Sequence, residues 1–315
     1  MVNTGHSRPR EGDGIHLTAA ELIALRPRCH ALRLPMRQAA ASALAGAYRS
    51  RFRGRGIDFL ESRNYQPGDD IRNMDWRVTA RTGRAHTKVF EEERERPVLV
   101  VMDASPSLYF GTRNQLKSVA AGQMAAAIAW AATRRGDRIG GFLFAPGRHR
   151  EIRPAGGRRG AMRMIQGLVD WLEPGQGNGG ESEPLSAALE RVRHTVRPGS
   201  LVIVISDFFD MDEACNRHLS RLRQHSDVIG CQVLDAAEYQ LPQGRYPISD
   251  GEHAAVLDTG QTDSRNRYAA MARKHLKEPR RMFRKHQCGW LVLHTDDDPV
   301  DVLGRELRVL VGRGA

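Results

Sequence analysis

The chain has 315 residues, 40% of them hydrophobic and 27% charged, and carries a formal net charge of +11. That length buries one large core or two modest ones, and the balance is that of an ordinary globular fold. No apolar run approaches the roughly 18–20 residues of a membrane span, which excludes a spanning helix within these residues.

Met1 to Gly14 is polar, Gly/Pro-rich and without the apolar core of a signal peptide, so a disordered tail and a cytoplasmic location are expected. Cys29, Cys215, Cys231 and Cys288 are scattered with no C-x-x-C spacing, which fits reduced, buried thiols. Thr18 and Glu21 have capping-box spacing and predict a helix over 18–26. An Ala-rich helix is expected from Gln38 to Tyr48, broken by Arg53-Gly54-Arg55-Gly56. Between Arg26 and Arg55 stand eight arginines and no acid. Such a surface, including Arg49, Arg51, Arg53 and Arg55, suits nucleic acid or an acidic protein partner. No aromatic stacking platform accompanies it, so the protein partner is favoured.

Residues 57–92 read as short strands and turns, with Pro67-Gly68-Asp69 as a tight turn. Residues 15–95 are thus expected to form a helical and β extension ahead of a second domain over 96–315. Asp69 and Asp70 are adjacent acids, but neighbours on an extended chain point opposite ways. A turn held by Arg72 or Arg81 is the better reading, and Trp76 is expected in the core. From Pro97 strands and helices alternate, which predicts a mostly parallel sheet flanked by helices. Strands are expected at 97–102, 138–145, 201–205, 228–234 and 289–294, with an antiparallel edge near His149 to Ile152. Helices are expected at 116–131, 158–172, 184–196, 212–225, 264–286 and 299–311, and a glycine-rich loop over 174–183.

Two of these strands end in acidic, hydroxyl-rich loops. Val98-Leu99-Val100-Val101-Met102 runs into Asp103-Ala104-Ser105-Pro106-Ser107, and Leu201-Val202-Ile203-Val204-Ile205 runs into Ser206-Asp207. Continuous apolar runs mark strands buried on both faces, and ligands of such sheets sit beyond the carboxyl ends of the strands. Carboxylates and hydroxyls delivered there make an all-oxygen site suited to Mg²⁺ or Mn²⁺. The competing reading is a degenerate site in which Asp103 and Ser105 only cap a loop.

Asp103-x-Ser105-x-Ser107 resembles the metal-ion-dependent adhesion site of von Willebrand factor A domains. Upstream, Tyr65-Gln66-Pro67-Gly68-Asp69-Asp70, Asn73-Met74-Asp75-Trp76 and Lys88-Val89-Phe90-Glu91 resemble the signature of the bacterial family called domain of unknown function 58, or DUF58. That resemblance implies a Rossmann-like A domain and a metal held by Asp103, Ser105, Ser107 and Asp207. In related domains a second loop supplies a threonine. Here the corresponding stretch, Gly179-Gly180-Glu181-Ser182-Glu183, places Glu183 at that position. The resemblance further implies a non-enzymatic, chaperone-like adaptor of a MoxR-type AAA+ ATPase. Its expected ligands are other A-domain proteins, or an acidic side chain completing the metal's coordination. No P-loop, G-x-S-x-G elbow or H-E-x-x-H is present. A haloacid-dehalogenase-like hydrolase using Asp103 is the enzyme alternative. It needs a second acid two residues on, where Ser105 stands.

Overall fold

In the computed structural model, residues 12–35, 57–66, 69, 71–92, 96–174, 184–239, 241–249 and 254–312 are described. The chain divides into two units, Met1–Arg37 with Arg96–Ala315, and Gln38–Glu95. In chain order the first elements are α1 (Ala19–Ala24), β1 (Ile57–Asn64), α2 (Trp76–Thr82), β2 (His86–Glu92), β3 (Pro97–Asp103) and α3 (Lys117–Arg134). Then follow β4 (Arg138–Ala145), β5 (Arg148–Ala155), α4 (Gly157–Trp171), α5 (Leu185–Thr195), β6 (Leu201–Ser206), α6 (Ala214–His225) and β7 (Asp227–Leu234). The last are β8 (Arg245–Ser249), β9 (Ala254–Asp258), α7 (Thr262–Lys285), β10 (Gly289–His294) and α8 (Pro299–Gly312).

The larger unit is built on a six-stranded sheet of order β10-β7-β6-β3-β4-β5. All its pairings are parallel except that of β5, which runs antiparallel on the β4 edge. β6 is buried along its whole length and β7 at all but its first residue, so neither face of the sheet is open there. One core layer joins the sheet to α3, α4 and α8 through Met124, Ile128, Leu168 and Leu303; the other joins it to α5, α6 and α7 through Leu189, Leu219 and Phe283. The expected parallel sheet with its antiparallel edge is what forms. Leu17, Leu22, Cys29, Leu32 and Leu34 enter the first layer, so residues 17–34 pack with the sheet unit and not with the extension in which sequence reading grouped them. The tail ends at the same place: Leu116 N donates to Gly14 O at 2.8 Å.

α1 starts as expected, with Thr18 and Glu21 forming a reciprocal capping box. The four cysteines are free and buried, and burial pushes each thiol up to about 12, so none is a poised nucleophile. The antiparallel β8–β9 hairpin, in which Tyr246 pairs with Leu257, was not expected from sequence. The expected helix over 38–48 and the basic positions Arg49, Arg51, Arg53 and Arg55 lie outside the described residues.

In the smaller unit β1 pairs antiparallel with β2 through a bulge at Phe59/Glu61. Asp75 caps α2 by accepting from Val78 N at 3.1 Å, and Gly83 ends it at φ 73°, the left-handed conformation that glycine adopts freely. Asp69 belongs to a turn: Oδ2 accepts from Gln66 N at 2.9 Å while Oδ1 takes Arg63 Nη2 at 2.7 Å. Arg63 is thus a partner that sequence reading did not name. Trp76 is 65% exposed, contrary to its expected place in the core. It occupies the first position of a helix that buries none of its residues.

At the amino ends of the strands one side chain ties the sheet together. Arg96 donates from Nε to Gly199 O at 3.0 Å, from Nη1 to Pro35 O at 2.7 Å, and from Nη2 to Asp227 Oδ2 at 2.5 Å. It thereby links the starts of β3, β6 and β7. Removing it strands half-buried carbonyls and leaves Asp227 to Arg223 alone, so Arg96→Met should cost about 1–3 kcal/mol. Arg96→Lys, which lacks the planar fork, should recover less than half of that loss in urea titration.

Candidate functional site

β3 sits where the strand order reverses, with β4 on one side and β6 on the other. A parallel sheet opens a crevice at such a point, beyond the carboxyl ends. Met102 pairs with Ile205, so Asp103 and Ser206 leave the sheet side by side. Asp103 is 5% exposed and Asp207 1%.

Each side chain is fixed by its neighbours. Asp103 Oδ1 accepts from Ser105 N at 2.8 Å and Ser105 Oγ at 2.6 Å, and Oδ2 accepts from Ser206 Oγ at 2.6 Å. Ser206 Oγ in turn accepts from Phe208 N at 2.8 Å, and Asp207 Oδ1 accepts from Phe209 N at 3.1 Å. These two bonds curl the chain sharply, and Phe208 sits at φ 61°, rare for a bulky residue. Its ring is held against Phe283 and Trp290, with centroids 5.3 and 5.1 Å away.

Lys117, the first residue of α3, is only 2% exposed, and its Nζ donates to Asp207 Oδ2 at 2.8 Å and to Glu238 Oε1 at 2.7 Å. Burial alone would discharge the ammonium; Asp207 and Glu238 outweigh it and hold its pKa above the usual lysine value. Glu238 is positioned in turn by Asp235, whose backbone N donates to Glu238 Oε2 at 2.7 Å. Asp235 is fully buried between Thr112 and Thr295, whose hydroxyls both donate to it. Burial pushes the Asp235 carboxyl up, and its donors, Thr112 foremost, bring it below the usual range.

Of the residues expected at a metal site, Asp103, Ser105, Ser107 and Asp207 stand in the loops that leave β3 and β6 side by side. Glu183 lies outside the described residues; α5, which begins two residues later, is tied to the same rim by Leu185 N donating to Asp210 O at 3.1 Å. Ser107 Oγ is buried and has no hydrogen-bond partner among the described residues. A hydroxyl left so is costly unless something else supplies the partner. With two carboxylates and a second serine in the same loop, the donors are hard oxygens that fit Mg²⁺ or Mn²⁺. Among the described residues no three His, Cys, Asp or Glu side chains cluster as a ligand set, so serine oxygens would have to complete one. A cation would share Asp207 with the Lys117 ammonium.

Sequence reading missed Lys117, Ser206, Asp235 and Glu238. Asp235-x-x-Glu238 has capping-box spacing and does form a capping box. A lone lysine ahead of an Ala-rich helix gives no such signal.

Lys117→Met should destabilise by about 3–5 kcal/mol, because it leaves two carboxylates without their cation. The Asp103 carboxyl is pushed up to about 6, by burial first and then by Asp207. The folded state therefore favours the protonated form, and stability falls as pH rises from about 4 through 6, then levels off. Asp103→Asn should remove that fall. The difference in urea midpoint between wild type and variant, followed from pH 4 to 7.5 without divalent cations, measures it. A pH-independent difference would refute the assignment.

The sequence pattern of the family described as "Protein of unknown function DUF58" matches residues 61–278. An uncharacterized protein of Mycobacterium tuberculosis is 30% identical over 269 residues, spanning 85% of this chain and 84% of the relative. Among solved structures, BatB from Bacteroides thetaiotaomicron is similar over 69% of this chain and 99% of its own, at 12% identity and a TM-score of 0.42. A von Willebrand factor type A protein from Catenulispora acidiphila is similar over 73% of this chain and 44% of its own, at 11% identity and a TM-score of 0.39. The family match and the mycobacterial relative together settle the assignment: the chain belongs to the DUF58 family.

Proposed function

We propose that the chain is a non-enzymatic adaptor that binds proteins through a divalent cation at the β3–β6 rim, and that it serves a MoxR-type AAA+ ATPase in a chaperone-like role. The observation that carries the reading is the rim itself: two buried carboxylates and a buried serine hydroxyl that has no partner among the described residues. Asp103, Ser105, Ser107 and Asp207 would hold Mg²⁺ or Mn²⁺, which supplies a coordination position for an acidic side chain of the partner. The chain's own groups prepare that position. Ser206 fixes Asp103, Lys117 fixes Asp207, and Phe208 holds the turn between strand and loop.

Beside the rim, Phe110 and Phe209 are 42% and 67% exposed. Aromatic side chains are enriched in protein interfaces. Family membership supports the choice of motor partner. Among the described residues, no helix is long and apolar enough to cross a membrane.

Millimolar Mg²⁺ or Mn²⁺ should raise the unfolding temperature, because the cation binds the folded state. At a hundredfold excess over Kd the gain is about 2.7 kcal/mol, or roughly 5–10 °C. Asp207→Ala should erase it. Phe209→Ala should keep the metal shift yet lose capture of the ATPase from host lysate, and Asp103→Ala should lose both. A flat metal titration would sink the metal-dependent reading. A phosphatase turnover that vanishes in Asp103→Asn would replace the adaptor with the hydrolase.

A further inference from the structure

α3 carries Lys117 at one end; its other end, roughly 25 Å away by helical rise, borders a separate feature. There a cavity of about 120 Å³ is lined by Arg26, His30, Thr133, Arg134 and Arg158 over Trp130. No carboxylate lines it, and among the described residues none of the three guanidiniums pairs with one. Other arginines of the unit do find carboxylates: Arg28, two residues from Arg26, binds Asp298 at 2.8 Å, Arg96 binds Asp227, and Arg150 binds Asp170 at 3.2 Å.

The cavity is open, with Arg26, His30, Arg134 and Arg158 exposed around a floor of buried Trp130 and Cys29. Trp130 Nε1 donates to Leu22 O at 2.9 Å, which fixes the indole between α1 and α3. The Arg26 guanidinium lies over that ring, 5.5 Å from its centroid, so its position is set before any ligand arrives. Arg134 comes from the last turn of α3 and Arg158 from the first turn of α4. Three cations facing one small space repel one another, and an anion entering it relieves that cost. A planar guanidinium fork matches phosphate oxygens two at a time. The volume holds about four waters at ~30 Å³ each, enough for one phosphoryl group.

We propose that this cavity binds the phosphoryl group of a small soluble phosphate. A discrete pocket with one guanidinium already stacked fits a terminal phosphate better than the continuous backbone of a nucleic acid, which needs a track of charges.

The test uses the full chain at fixed ionic strength without divalent cations, titrated calorimetrically with inorganic phosphate, with pyrophosphate and with single-stranded RNA. Phosphate or pyrophosphate should bind saturably with one site per chain. Arg134→Gln and Arg158→Gln should each weaken it tenfold or more, as losing a charge-assisted hydrogen bond would. The control Arg221→Gln/Arg280→Gln, at exposed positions that do not line the cavity, makes the same charge change as Arg134→Gln/Arg158→Gln combined and should leave affinity within twofold. Unchanged melting temperatures would show that the variants fold. Phosphate binding is read without divalent cations, so failure of the metal-dependent reading and failure of this one are separable. Three outcomes overturn the proposal: no saturable phosphate or pyrophosphate binding, equal weakening in the control, or RNA that displaces pyrophosphate and binds more tightly.

Discussion

A charge balance inside the protein governs the functional end of this fold. Lys117 is nearly inaccessible, yet it stays an ammonium because Asp207 and Glu238 sit against it. Removing any one partner leaves an uncompensated buried ion, which costs far more than the trio contributes as a unit. The position works against local preference. Lys117 is the first residue of α3, at the positive end of the helix dipole, and Leu116 supplies no side-chain cap. Tertiary carboxylates, not the helix, therefore dictate where α3 begins. Through this one ammonium the start of α3, the loop after β6 and the turn after β7 are held in register.

The two ends of the sheet solve opposite problems. At the amino ends, Arg96 gathers the carbonyls of Pro35 and Gly199 and the carboxylate of Asp227, so that end is closed and quiet. At the carboxyl ends, carboxylates outnumber buried cations, and Asp103 is pressed toward its neutral form by burial and then by Asp207. A closed end makes the platform rigid; an end short of positive charge leaves something for a ligand to supply. Rigidity at one end is what lets the deficit persist at the other.

The sheet was legible because strands buried on both faces must be written as unbroken apolar runs, as Val98 to Met102 and Leu201 to Ile205 are. The long helices were legible from their periodicity, and the paired loops from acids placed just after those strands. Less came through where meaning arises only on folding. Lys117 reads as a surface lysine until two carboxylates from distant segments close on it. α2 went unseen because it is short and buries nothing, although Asp75 and Gly83 bracket it as cap and stop. Trp76 misled for the same reason, since aromatic size implies burial only where a helix has a face to bury.

Phe208 joins the rim to α7 and β10. Its backbone holds an unfavourable left-handed turn directly after Asp207, kept by the Ser206 and Asp207 side-chain bonds and by its ring, wedged between Phe283 of α7 and Trp290 of β10. The loop that carries Asp207 therefore leans on packing from behind as well as on its own hydrogen bonds, through two aromatic rings in elements that supply none of the rim's carboxylates.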